Sequence, residues 1–112
     1  QILIISVELL TACGSVRPPG EKLSVADQLL QQAKAEEAGR FAPVELNSAA
    51  EKLAQAKFAM EQQNFLQAER LADRSAMDAR TAIAIAGSIK AQMAVDELKQ
   101  SNAQLQKQLE AH

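Results

Sequence analysis

Residues 65–109 are FLQAERLADRSAMDARTAIAIAGSIKAQMAVDELKQSNAQLQKQL, and this stretch decides the fold. It contains no proline, and its only glycine, Gly87, costs a helix about 1 kcal/mol relative to alanine, which is too little to break it alone. We therefore predict one helix over 65–110, roughly 65 Å long. Its predicted buried stripe has three-four spacing and consists mostly of small residues that let helix backbones approach closely. The stripe is Phe65, Ala68, Ala72, Ser75, Ala79, Ala82, Ala86, Ile89 and Met93.

The apolar pattern changes after Met93. The positions a-d-a-d-a of a coiled-coil heptad repeat are then occupied by Val95, Leu98, Asn102, Leu105 and Leu109. An asparagine at a central a position is known to set register and oligomeric state in coiled coils. These five residues therefore indicate a helix-pairing surface, for a second copy or for another protein. The alternative interpretation is a polar helix end that frays from Gln100 onward.

A second helix is predicted over 43–62. Pro43 suits the first turn of a helix, where its missing N–H is not needed. The apolar residues that follow keep three-four spacing: Leu46, Ala49, Leu53, Ala56 and Met60. Ser48, with Glu51 three residues later, is an alternative start, but the stripe already begins upstream of it. Asn64 is the expected turn residue before the long helix.

A first helix is predicted over 24–38. Ser24 with Asp27 three residues on is a variant of the capping box, and Gly39 suits the left-handed position after a helix. Together the three segments predict an all-α fold, an up-down-up arrangement with a long C-terminal helix that is coiled-coil-like at its end. Because the second helix is only about 30 Å long, the third should project beyond the bundle from about Ile89.

Composition excludes several functions. Among 112 residues there are 12 basic and 14 acidic side chains and 3% aromatic residues, so no basic stripe or stacking platform supports nucleic-acid binding. No apolar run approaches the roughly 20 residues of a membrane span. The only histidine is His112, which leaves neither a histidine-assisted nucleophile nor a metal cluster to propose. We expect no enzyme, no metal and no cofactor other than the lipid discussed next.

Leu10-Thr11-Ala12-Cys13 has the form of a bacterial lipobox. A signal peptidase would cut between Ala12 and Cys13, so we interpret 1–12 as a truncated lipoprotein signal peptide. Residues 13–23 would be the lipidated cysteine and a tether stiffened by Pro18-Pro19, and 24–112 the helical domain. Cys13, the only cysteine, would carry diacylglycerol and palmitate-like acyl chains; the alternative is a buried, inert thiol. The residue after Cys13 is Gly14 and not aspartate. By resemblance to enterobacterial lipoproteins, the absence of aspartate at this position implies transport to the outer membrane.

The middle of the chain contains a longer sequence pattern that is typical of a known family. It comprises Phe41-Ala42-Pro43-Val44-Glu45-Leu46, then Lys52-Leu53, then Asn64-Phe65 with Ala68 and Leu71-Ala72, then Asp78-Ala79. Over about residues 10–100 the chain resembles proteobacterial lipoproteins that contain a domain of unknown function, in which a lipobox precedes an Ala-rich helical hairpin. In that family an OmpA-like peptidoglycan-binding domain often follows. The resemblance therefore implies a location in the cell envelope. It also implies association with peptidoglycan, but more weakly, because this sequence ends at His112 without such a domain.

These observations lead to two functional expectations. The first is a lipid-anchored outer-membrane lipoprotein that faces the periplasm and acts as a structural or adaptor module, with its C-terminal helix pairing with itself or with an envelope protein. The second is a carrier or chaperone that holds a lipid or an apolar peptide between its helices. The carrier hypothesis predicts a sizeable cavity, and tight packing among Leu30, Leu53, Phe58, Leu71 and Ile83 would count against it.

Overall fold

A computed structural model describes residues 18–111 of the chain. Helices account for 90% of the described residues, and no strand occurs among them. Four helices follow one another: α1 Gly20–Ala35, α2 Ala38–Phe41, α3 Pro43–Glu61 and α4 Phe65–Glu110. The all-α prediction is confirmed. The predicted boundaries of the second and third helices agree with α3 and α4 to within one residue.

Helix α4 is the element on which the others pack. Near the start of α1, Lys22 Nζ lies 3.0 Å from Glu69 Oε1 of α4, and just beyond its end Glu36 Oε2 lies 2.9 Å from Lys90 Nζ, so α1 and α4 run parallel. Helix α3 returns antiparallel to both, because a turn of only three residues separates it from α4. The predicted up-down-up order is therefore confirmed.

The interior of the bundle is built from alanine. Small side chains let the helix backbones approach closely, and four leucines fill the wider gaps between them. The one buried polar side chain among the described residues is Ser75, whose Oγ donates a 2.7 Å hydrogen bond to the carbonyl oxygen of Ala49 in α3. The predicted α4 stripe is buried at Ala68, Ala72, Ser75, Ala79, Ala82 and Ala86. Its outer members Phe65, Ile89 and Met93 are only partly covered or exposed.

The start of the first helix was predicted wrongly. Helix α1 begins at Gly20, four residues before the predicted start, and Ser24 lies inside it rather than at its cap. The last residues of the predicted tether are therefore helical. The physical reason lies in contacts with distant parts of the chain. Leu23 packs against the buried cluster at the α3–α4 turn, and Lys22 forms ion pairs with two carboxylates of α4. These contacts favour helix over the local capping signal.

The end of the first helix also differs from the prediction. It ends at Ala35, and Glu37, not Gly39, adopts the left-handed conformation with φ 66°. Gly39 instead lies within the short α2. A non-glycine residue in this region costs roughly 1–2 kcal/mol. The turn at Glu37 is retained because it brings Ala38 into the core, where it is fully buried.

An ion pair holds the middle of α3 against α4. Asp78 Oδ2 accepts hydrogen bonds from Lys52 Nζ and, at 2.7 Å, from Ser48 Oγ. Burial raises the pKa of the Asp78 carboxyl, but the two hydrogen bonds and the charge of Lys52 outweigh it, and the pKa lies below its ordinary value of 3.8. Asp78 thus favours the folded state when it is ionised.

Asp78→Asn is expected to lower the free energy of unfolding at neutral pH by about 1 kcal/mol, because it removes a charge-assisted hydrogen bond at a partly buried site. The folded-state pKa is depressed, so this contribution is present above pH 3.8 and is lost as the pH falls through the folded-state pKa. Urea unfolding of both proteins at a series of pH values measures it. A difference that persists undiminished in strong acid would contradict the assignment.

Candidate functional site

The C-terminal part of α4 extends beyond the bundle. Helix α4 has 46 residues, whereas α3 has 19 and α1 has 16. Lys90, paired with Glu36, is half-buried, and every described residue after it, from 91 to 111, is exposed. The predicted projection is confirmed. We call residues 91–110 the arm; at 1.5 Å per residue it is about 30 Å long.

The five predicted pairing residues all lie on the arm, which remains helical to Glu110. We call them the seam: Val95, Leu98, Asn102, Leu105 and Leu109. Leu98 is 63% exposed and Leu109 76% exposed, and none of the described residues covers them. Leucine side chains repeated along one helix face and left in water favour association with another apolar surface. Whether they pair stays a prediction.

The charged side chains of the arm avoid the seam. In the heptad register set by the seam, four of them occupy positions b, c and f, which point away from a helix partner. These four are Asp96, Glu97, Lys107 and Glu110. The flanking e and g positions carry Gln92, Ala94, Ser101, Gln106 and Gln108, and Lys99 is the only charge among them. The face around the seam is therefore almost uncharged.

The seam does not continue the buried stripe of α4. A helix turns about 100° per residue, which places the seam roughly 140° around α4 from that stripe. Steps of seven residues back from Leu98 and Val95 instead lead to exposed residues on the outer face of the bundle: Ala91, Ser88, Ala84, Thr81 and Met77. This continuation was not predicted, although the seven-residue spacing in the sequence indicates it.

A second exposed apolar feature lies beside the α3–α4 turn. Phe58 is 63% exposed and, with Ala54, Ala59 and Leu71, borders a groove of about 540 Å³ that is open to solvent. Among the residues expected to pack tightly, Leu30, Leu53 and Leu71 are buried and Ile83 is half-buried. Phe58 therefore does not join the interior, and the open groove that it borders bears on a carrier role.

Two further findings concern residues 18–111 of the chain. Within them, no group of histidine, cysteine or acidic side chains could hold a metal ion. None of the helices in residues 18–111 contains an apolar stretch that could span a lipid bilayer. The predicted lipidation site Cys13 and cleavage position Ala12, like His112, lie outside the described residues.

Comparison with known proteins identifies a family. The family model of a domain of unknown function, DUF4398, matches residues 21–98. The match covers the bundle and the first turns of the arm, and it ends at Leu98. No curated protein and no solved structure shows significant similarity to the chain.

Proposed function

The chain belongs to the DUF4398 family, and we propose that it is a non-catalytic structural or adaptor module of the bacterial cell envelope that acts through its arm. The bundle serves as the base, and the seam is the surface that binds another helix. In this proposal the protein is a proteobacterial lipoprotein. It is anchored in the outer membrane through acyl chains on Cys13 and faces the periplasm.

The observation that carries the proposal is the exposed seam. Burying a leucine side chain fully contributes roughly 1.5–3 kcal/mol, and the arm exposes Leu98, Leu105 and Leu109 on one face. These side chains do not contribute to the stability of the bundle, because α1 and α3 do not extend along α4 beyond Lys90. An apolar face on an arm about 30 Å long suits a module that links its anchor point to a partner.

The seam is tested by photo-crosslinking in cells. A photoreactive amino acid at Ser101, next to the seam, should crosslink the chain to a defined partner. The same probe at Gln100, which points to the opposite side of the arm, should give little product. Equal product from both positions would show that contact with the arm is not specific to the seam.

The anchor rests on Leu10-Thr11-Ala12-Cys13 and has its own test. In cells that express the gene, labelled palmitate should be incorporated into the chain. Incorporation should be lost in Cys13→Ala and kept in the control Ser15→Ala. The physical reason is that Cys13 carries the only thiol that can be acylated in this sequence. Labelling that persists in Cys13→Ala would contradict the anchor.

A second candidate function is a carrier of a lipid or apolar peptide, and the groove beside Phe58 favours it. The groove volume of about 540 Å³ lies within the range of small-molecule sites, roughly 300–1,000 Å³. A carrier should release a bound apolar molecule on denaturation after gentle purification. Phe58→Asp should abolish that ligand, whereas mass spectra without ligand from the unsubstituted chain would exclude the role.

A further inference from the structure

We infer that the seam pairs with the seam of a second copy of this chain, in a parallel, in-register, two-stranded coiled coil. This inference rests on the proposed function, in which the seam is the interaction surface. It adds the identity of the partner and the orientation in which it binds.

Asn102 selects the orientation. When two arms lie parallel and in register, each seam residue faces the same residue of the second copy, so the two Asn102 amides meet. An amide can both donate and accept a hydrogen bond, and the two therefore satisfy each other. In an antiparallel pair with full overlap, Asn102 would face Leu98 instead. Its amide would then be buried without a partner, which is unfavourable.

The charge pattern favours the same arrangement. In the parallel pair, Lys99 at an e position lies near Ala94 at a g position of the second copy, and no like charges meet. In the antiparallel pair, e positions face e positions, so Lys99 would lie close to Lys99 of the second copy. Two like charges that lie close together on facing helices repel each other, which destabilises the pair. Because Lys99 is the only charged residue at the e and g positions, repulsion between like charges at these positions does not oppose parallel self-pairing.

The outer face of the bundle leaves room for a second helix. Ala84, Ser88 and Ala91 continue the heptad pattern toward the bundle, and all three are small and exposed. Two α4 helices can therefore approach closely where they leave their bundles. The seam drifts by about 20° per heptad relative to a straight helix, and a left-handed supercoil corrects this drift.

Parallel pairing also agrees with the proposed anchor. It places both bundles at one end of the coiled coil, so both N-terminal segments lie on the same side. Two chains that are anchored in one membrane can then pair without either arm reversing its direction.

The association is tested by sedimentation of the full chain under reducing conditions across micromolar concentrations. The chain should sediment at twice the mass of a single copy. Leu98→Asp should be a monomer, because it places a charge in the seam. Gln100→Asp introduces an aspartate on the opposite face and should remain a dimer. A monomeric unsubstituted chain, or a dimer that Leu98→Asp leaves intact, would overturn the inference.

Single cysteines introduced into a Cys13→Ser background test the orientation. Two cysteines can form a disulfide only when their Cα atoms lie about 4.4–6.8 Å apart, as at facing a positions of a parallel pair. Val95→Cys should therefore oxidise to a covalent dimer, whereas Glu97→Cys, which points outward, should not. A disulfide that forms only between Val95→Cys and Leu105→Cys chains would show antiparallel pairing and overturn the inference.

The two proposals fail in different ways. If the chain is monomeric and the probe at Ser101 captures a different protein in cells, self-pairing is wrong and the adaptor role stands. If the chain is monomeric and Ser101 captures nothing, both are wrong. A dimer in solution together with a self-crosslink from Ser101 supports both.

Discussion

Leu53→Ala is expected to destabilise the bundle by 2–5 kcal/mol, the usual range for a buried leucine. Leu53 is 2% exposed and lies in α3 among the alanines that face α1 and α4. It is one of only four buried leucines in the described residues. Neighbouring alanines have no flexible side chains to move into the space that is left. We therefore expect a value in the upper half of the range.

The measurement is urea or thermal unfolding followed by circular dichroism. A domain of this size has a stability of about 5–15 kcal/mol, so the loss is a large part of the total. Leu98→Ala is the matched control: it removes the same atoms from the arm, where the side chain is 63% exposed. Measured under conditions in which the chain is monomeric, the control should change the stability by less than about 0.5 kcal/mol. Similar losses in both variants would contradict the division between bundle and arm.

Ala79→Leu is expected to destabilise the bundle for the opposite reason, because the larger side chain has no free space to occupy. Ala79 is fully buried on the α4 stripe that α1 and α3 pack against. Additional carbon atoms in a close-packed interior force neighbouring side chains and backbone to shift, which typically costs 1–3 kcal/mol. Close packing between helix backbones leaves little room for adjustment. We therefore expect at least the upper part of that range.

Ala103→Leu is the control for this substitution. Ala103 is exposed on the arm and lies outside the seam, so the added side chain meets solvent and leucine is a good helix former. Its thermal midpoint should match that of the unsubstituted chain, whereas that of Ala79→Leu should fall by about 4–8 °C for each kcal/mol lost. An unchanged midpoint in Ala79→Leu would show that the helices are less closely packed than described.

The long helix was predictable because its determinants are local. Proline is absent from residues 65–109, and small residues repeat with helical spacing, so both the existence of α4 and its buried face follow from the sequence. Asn64 precedes α4, and its Oδ1 accepts a hydrogen bond from the Gln67 N–H, whereas the residue of this turn with the left-handed conformation is Gln63, with φ 60°. Pro43 opens α3 for the same kind of local reason.

The boundaries of α1 were not predictable in this way. A capping signal at Ser24 is worth about 1 kcal/mol, and the contacts that Lys22 and Leu23 make with distant residues outweigh it. Those contacts join residues about 50 positions apart and leave no local pattern. The contacts of Asp78 have the same origin, because only the packing of α3 against α4 brings Lys52 and Ser48 to its carboxylate.

The sequence by itself therefore determined that the chain is helical, where α3 and α4 run, and the central part of the buried stripe of α4, from Ala68 to Ala86. These features depend on spacing along one helix, which is a local property. Only the tertiary structure decided where α1 begins and ends and which charges pair. Those features depend on distances between helices, which leave no pattern along the chain.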